Sequence, residues 1–218
     1  MSVALVGDSY VRRLGEFAIR RATPDLGLIH DDVRFFGIGG SSLFGRKRVQ
    51  PSLDAALALP NLSVLFLAVG SNDVGRASSE RIVTALLSLA EYAFCAHPDV
   101  IVIIGQLHFR ASQPSESFNN TVAFLNKRLR HTILGLGNPR LHYASSRGLY
   151  KPPASLYSDG THFTDAGERL LLRGVRGAVC RARKALLQAS LDKGTVFTNL
   201  ISRLRAVAPV RRMPLFSA

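Results

Sequence analysis

A chain of 218 residues, 47% of them hydrophobic, can bury one substantial core, and its length predicts a single domain of ordinary size. No apolar run approaches the roughly 18 uncharged residues of a membrane span, and the apolar start is too short for a signal peptide, so an intracellular, cytoplasmic protein is expected. The formal net charge of +13 is unevenly placed, with eleven Lys and Arg against three acids in residues 164–218, a basic flank that favours nucleic acid or anionic lipid and also serves plain solubility.

Val3–Val6 is an apolar, β-branched run closed by Gly7, and it predicts a first strand. A helix over about Tyr10–Arg21 follows, then a strand at Val33–Ile38, a helix over about Pro51–Leu59 and a strand at Val64–Val69. Next come a helix at Ser79–His97, a strand at Val100–Ile104, a helix at Ser117–Leu134 and a weaker strand at Leu141–Tyr143. The last helix covers about Asp165–Gln188, with a stripe of Leu171, Val175, Val179, Ala182 and Leu186 facing away from Arg169, Arg173, Arg176 and Arg183. Asp165 and Glu168 have the spacing of a capping box at its start.

Continuous apolar strands such as Val64–Val69 are buried on both faces, and their alternation with helices implies a mainly parallel sheet. The expected fold class is α/β, a three-layer α/β/α sandwich around five strands. Beyond Ser190 the helical pattern weakens, and Pro209 and Pro214 break any long helix. Residues 1–190 are therefore expected to form the domain and 191–218 a basic, partly mobile appendage. Cys95 and Cys180 lie far apart, without metal-ligand spacing, and read as free thiols.

Small and polar residues cluster at four places. Gly7-Asp8-Ser9 ends the first strand, Gly37-Ile38-Gly39-Gly40 the second and Gly70-Ser71-Asn72-Asp73 the third, while Asp159-Gly160-Thr161-His162 precedes the last helix. Folding would bring all four to one sheet edge, where α/β folds collect ligands. Each alone has an ordinary explanation. Ser9 could be a plain helix cap, and Gly70 to Asp73 a plain turn. The glycine run fails as a dinucleotide loop because Ser42 stands where its third glycine belongs, which leaves a sharp turn or a bare N–H open to a reacting carbonyl. A lone His162 would be unremarkable, but Asp159 three residues earlier can bond one ring nitrogen and leave the other free to take a proton from a serine. The remaining histidines, His30, His97, His108, His131 and His142, lack such a partner, and no pair has zinc-helix spacing.

Taken together, the four clusters, the last continuing as Phe163-Thr164-Asp165-Ala166-Gly167, resemble the four sequence blocks of the SGNH (GDSL-type) serine hydrolase superfamily over roughly residues 3–188. The resemblance implies a flavodoxin-like SGNH hydrolase fold and a triad of Ser9, Asp159 and His162. It also implies an oxyanion hole of the Ser9 N–H, the Gly40 N–H and the Asn72 side-chain amide, with Gly39 replacing Gly40 if the turn is offset by one. Asp8 matches the family's structural acid, outside the triad. Tyr10 departs from the common Gly-Asp-Ser-Leu form, which leaves catalysis intact and bears on specificity. The stretch Gly-Asp-Ser-Tyr-Val-Arg-Arg-Leu, with Ile104-Gly105-Gln106-Leu107 and the Phe118–Asn126 segment, is similar to esterase-like proteins of animal genomes, some encoded by non-LTR retrotransposons.

The expected activity is hydrolysis of small acyl, acetyl or lipid esters through an acyl-serine, with no metal or organic cofactor. Leu107–Ser117 and Ser145–Ser158 are the loops expected to line the pocket. The leading rival is a non-catalytic esterase-like module whose basic C-terminal region binds nucleic acid or anionic membrane. A third reading is a transferase that hands the acyl group to another alcohol.

Overall fold

The computed structural model describes residues 1–28, 31–112 and 115–207, with side chains described as far as Gln188 except those of Ser115 and Leu186. The elements in chain order are β1 (Ser2–Gly7), α1 (Ser9–Arg20), β2 (Asp32–Gly37), α2 (Gln50–Leu57) and β3 (Leu62–Ala68). They continue as α3 (Ser79–Ala96), β4 (Ile101–Gly105), α4 (Ser115–Leu136), β5 (Leu141–Ala144) and α5 (Asp165–Val207). The strands form one five-stranded sheet in the order β2-β1-β3-β4-β5. Each pairing is parallel.

Alternation of side chains along the strands builds two cores. Ala4, Val6, Leu65, Leu67, Val102 and Ile104 face α2, α3 and α4, where Leu53, Ile82, Leu86 and Leu125 meet them. Their neighbours Val3, Leu5, Val64, Phe66, Ile101 and Ile103 face α1 and α5, which contribute Tyr10, Leu14, Leu171, Val175 and Val179. The three-layer sandwich follows from strands that are apolar on both sides. β2, at an edge, is only partly buried, whereas every residue of β1 is buried.

The strand order reverses between β1 and β3, and a crevice outside the carboxyl ends of strands at such a switch point is where this architecture takes ligands. Ser9 directly follows β1 and Asn72 lies just after β3. Gly7 permits the close pairing there, since a Cβ on it would lie 2.1 Å from the Ala68 carbonyl oxygen.

Three details depart from the sequence expectation. α5 continues to Val207 instead of stopping near Gln188, because the first helix-breaking proline is Pro209. Residues 208–218, the end of the expected appendage, lie outside the described residues. Asp165 and Glu168 do not form a capping box: Asp165 is the first helical residue and pairs with Arg20 and Arg21 at 3.3 Å each, while neither carboxyl oxygen of Glu168 has a hydrogen-bond partner. Arg183 does not stand free on the polar side. Its guanidinium pairs with Asp31 and donates to the Ser63 hydroxyl at 3.3 Å. No helix among the described residues is long and apolar enough to cross a membrane, and Cys95 and Cys180 are free and exposed.

Candidate active site

α1 starts abruptly after β1 because Asp8 caps it, its carboxylate accepting the Tyr10 N–H at 3.0 Å. Ser9 is thereby the first helical residue, and its own N–H belongs to the group that no intrahelical carbonyl can satisfy. Asp8 is buried, which pushes its carboxyl up to about 7, against the pull of the Tyr10 N–H and the Arg110 guanidinium.

A tight loop delivers the second half of the site. The Ser158 N–H donates to the His162 carbonyl at 2.8 Å, and the Gly160 carbonyl accepts from Ala111 and Ser112 at 2.7 and 3.0 Å. Inside this loop Asp159 Oδ1 accepts the backbone N–H groups of Thr161 and His162, at 2.9 and 2.7 Å. Its Oδ2 lies 2.7 Å from His162 Nδ1, and His162 Nε2 lies 2.9 Å from Ser9 Oγ. Burial works to raise the Asp159 pKa, but the hydrogen bonds from His162 and Thr161 together with the His162 charge outweigh it and hold the carboxyl well below its ordinary range. The carboxylate fixes the imidazole orientation, so that Nδ1 carries the proton and Nε2 is left to accept from the Ser9 hydroxyl. The pair is open to water, with 22% of the His162 side chain exposed.

The remaining two clusters are tied to each other, and the first of them to the end of β1, where the Ile38 N–H donates to the Gly7 carbonyl at 3.1 Å. Ile38 to Ser41 is a turn closed by the Ser41 N–H on the Ile38 carbonyl at 3.0 Å, with Gly40 at φ +73°, the third-position conformation that favours glycine. Among the described residues no carbonyl accepts the Gly40 N–H. The Asn72 amide donates one hydrogen to the Ser41 carbonyl at 2.9 Å and keeps a second to give. Buried Asp73 ties the two loops together, accepting the Leu43 and Phe44 N–H groups at 2.9 and 3.2 Å.

Ser9, Asp159 and His162 are thus joined in one hydrogen-bonded chain, and Gly40 and Asn72 are linked through Ser41. Two further residues belong to the arrangement: Arg110, which was not singled out from sequence, and Tyr10, which was expected to bear on specificity. Arg110 donates to Asn72 Oδ1 at 3.2 Å and lies 4.5 Å over the Phe118 ring. It sits in the loop expected to line the pocket, but nothing in its sequence surroundings marks it. Tyr10 is only 3% exposed, packs against the rings of His108 and Phe163, and donates to the Thr161 carbonyl at 2.5 Å. It therefore clamps α1 to the Asp159–His162 loop. His108 is buried and pushed down to about 4, so it is neutral across the physiological range. Among the described residues no group of three or more His, Cys, Asp or Glu side chains is placed to hold a metal ion.

No protein-family model and no curated protein sequence matches the chain. Solved structures do. A member of the lipolytic protein G-D-S-L family from Veillonella parvula superposes with a TM-score of 0.65 at 18% identity, covering 83% of this chain and 99% of that one. The chain has the fold of a GDSL-family protein. A carbohydrate acetylesterase from Sinorhizobium meliloti follows at TM-score 0.64 and 14% identity, over 83% of this chain and 98% of the other. A GDSL-like lipase from Bacteroides thetaiotaomicron gives 0.62 at 16% identity, over 83% and 88%.

Proposed function

We propose that this protein is an SGNH-type serine esterase in which Ser9, His162 and Asp159 form the catalytic triad. The observation that carries the reading is the continuous chain from Asp159 Oδ2 through both ring nitrogens of His162 to Ser9 Oγ, at 2.7 and 2.9 Å. His162 Nε2 takes the Ser9 proton as the oxygen attacks the ester carbonyl. The oxyanion is held by the N–H groups of Ser9 and Gly40 and by the free Asn72 amide hydrogen. His162 then returns the proton to the departing alcohol, leaving acyl-Ser9. Water, deprotonated by the same nitrogen, releases the acid and restores the serine.

Small acyl esters are the favoured substrates. A cavity of about 230 Å³ is lined by Arg110, which donates to Asn72, and by Glu116, Asn119, Asn120 and Lys151 beside Phe109, a small polar space that supports a short acyl or acetyl ester over a long chain. A kinship with the esterase-like proteins of animal retrotransposons is supported by the sequence stretches around Ser9, around Gln106 and over Phe118–Asn126 alone. The exposed free cysteines fit an intracellular, cytoplasmic setting. The basic residues of 164–218 support contacts of the C-terminal region with nucleic acid or anionic lipid alongside catalysis.

Hydrolysis of p-nitrophenyl acetate and butyrate by wild type and Ser9→Ala, with fluorophosphonate labelling, tests the proposal. Turnover and labelling that vanish together in the variant are expected. A folded wild type that neither turns over nor labels would leave the non-catalytic binding module. An added alcohol acceptor that outcompetes water would make the protein a transferase.

A further inference from the structure

The largest cleft among those described, about 740 Å³, lies outside the residues assigned to catalysis, between α4 and the loop that follows β5. On α4, Phe124, Lys127 and Arg130 share one helical face at spacings of three residues. The opposite wall carries Arg147 and Tyr150, and Tyr143 of β5 lies between. The Tyr143 hydroxyl is pushed up to about 12 by burial, against the pull of Arg130.

Two features of this cleft ask for an anionic, aromatic ligand. No acidic residue lines it, and none of Lys127, Arg130 and Arg147 has an ion-pair partner among the described residues. Elsewhere among the described residues Arg12, Arg13, Arg20, Arg21, Arg34 and Arg183 have carboxylate partners, whereas these three cations gather on the walls of one cleft that offers none. Two large rings also stand exposed on facing walls, Phe124 at 55% and Tyr150 at 65%, and Tyr150 is held edge-on against Phe109 with centroids 5.3 Å apart.

We propose that this cleft binds a short stretch of single-stranded nucleic acid, its phosphates on Lys127, Arg130 and Arg147 and its bases stacked on Phe124 and Tyr150. Cations that follow a backbone, interleaved with aromatic platforms, are what unpaired strands require. A duplex keeps its base faces stacked inside and offers the rings nothing. A membrane surface is flat on this scale, and a concave site with its charges on the walls does not complement it. The site is separate from the basic C-terminal region, so the two make different predictions.

The test is fluorescence anisotropy of a labelled oligouridylate of about 15 nucleotides, long enough for one binding groove, titrated with the full chain over a range of salt. The variants are Lys127→Glu/Arg130→Glu/Arg147→Glu, Phe124→Ala/Tyr150→Ala, and a charge-matched Arg169→Glu/Arg173→Glu/Lys184→Glu on α5, with thermal melts to verify folding. The cleft charge variant is expected to lose affinity by at least tenfold more than the α5 variant and to flatten the log–log salt slope by about 2, the loss of three phosphate contacts on a single strand. The aromatic variant is expected to lose about tenfold with its slope unchanged. Equal losses from the two charge variants, or wild-type binding by the aromatic variant, would overturn the proposal and assign the affinity to general charge. Duplex binding as tight as single-strand binding would overturn it too, as would binding to phosphatidylserine vesicles with none to the oligonucleotide.

Discussion

Replacing Glu168 by Gln should change how stability depends on pH. Glu168 lies in the first turn of α5, 3% exposed, with both carboxyl oxygens unpartnered. Burial pushes its pKa from 4.5 up to about 8, against the opposing pull of Arg13 and Arg20. The folded-state value is the raised one, so between about 4.5 and 8 the folded protein holds a proton that the unfolded chain releases. Stability conferred by the protonated form is therefore complete below the lower value and lost as pH climbs through the window. At about 1.36 kcal/mol per pH unit, the whole loss is on the order of 5 kcal/mol before local relaxation reduces it. Gln cannot ionise but brings a buried amide that costs about 1–3 kcal/mol if it too lacks partners. The variant should thus be slightly less stable than wild type near pH 5 and more stable by several kcal/mol near pH 9. Urea unfolding of both proteins at about pH 5, 7 and 9 measures this directly, and comparison with wild type cancels Asp8 and His108, which also titrate. Curves that stay parallel across the window would refute the reasoning and mean that Glu168 is ionised and paired in the folded state.

Asp159→Asn keeps an oxygen for the Thr161 and His162 N–H groups but turns an amide donor toward Nδ1, forcing the proton to Nε2; kcat should fall by about 10³–10⁴ while the melting temperature changes little. Asn72→Ala should cost about 100- to 1,000-fold in kcat. Arg110→Ala, which removes the hydrogen bond to Asn72 and the positive charge beside it, should cost about tenfold with a smaller change in KM, and a larger loss from Arg110 than from Asn72 would show that the arginine touches substrate itself. Asp8→Asn preserves the helix cap and should keep most turnover, whereas Asp8→Ala should lower stability by about 1 kcal/mol, read from urea midpoints.

The fold and the places where the candidate site gathers were legible in the sequence for physical reasons. Strands apolar on both faces declare a covered parallel sheet, and turn residues at strand ends mark its carboxyl edge; the roles expected of Ser9, Gly40, Asn72 and His162 came from the resemblance of those clusters to the SGNH blocks, and the structure joins Ser9 to His162 and His162 to Asp159 by hydrogen bonds. What escaped was of three kinds. Arg110 reaches Asn72 across a fold-level distance, and an arginine in a loop carries no local signature of its partner. Tyr10 read as a matter of specificity because its position follows the nucleophile, but burial between His108 and Phe163 turns it inward. The end of α5 was misplaced because a fading apolar stripe removes the tertiary reason for a helix without removing the backbone's ability to continue one.

The charges beneath the serine explain why Arg110 belongs to the arrangement. Asp8 and Asp73 are both buried close to the place proposed for the oxyanion, and each makes ionisation of Asp8 harder: one by its own desolvation, the other by its charge. Two buried carboxylates would repel a negative charge forming on substrate. Three features reduce that repulsion. Asp73 is spent on the Leu43 and Phe44 N–H groups, Asp8 retains its proton in a large share of molecules near neutral pH, and the Arg110 guanidinium adds a positive charge beside Asn72. The same guanidinium stabilises the Asp8 anion, so removing it should raise the Asp8 pKa further while withdrawing the positive charge from the oxyanion side. The arginine thus couples the acid that caps α1 to the amide proposed to receive the negative charge.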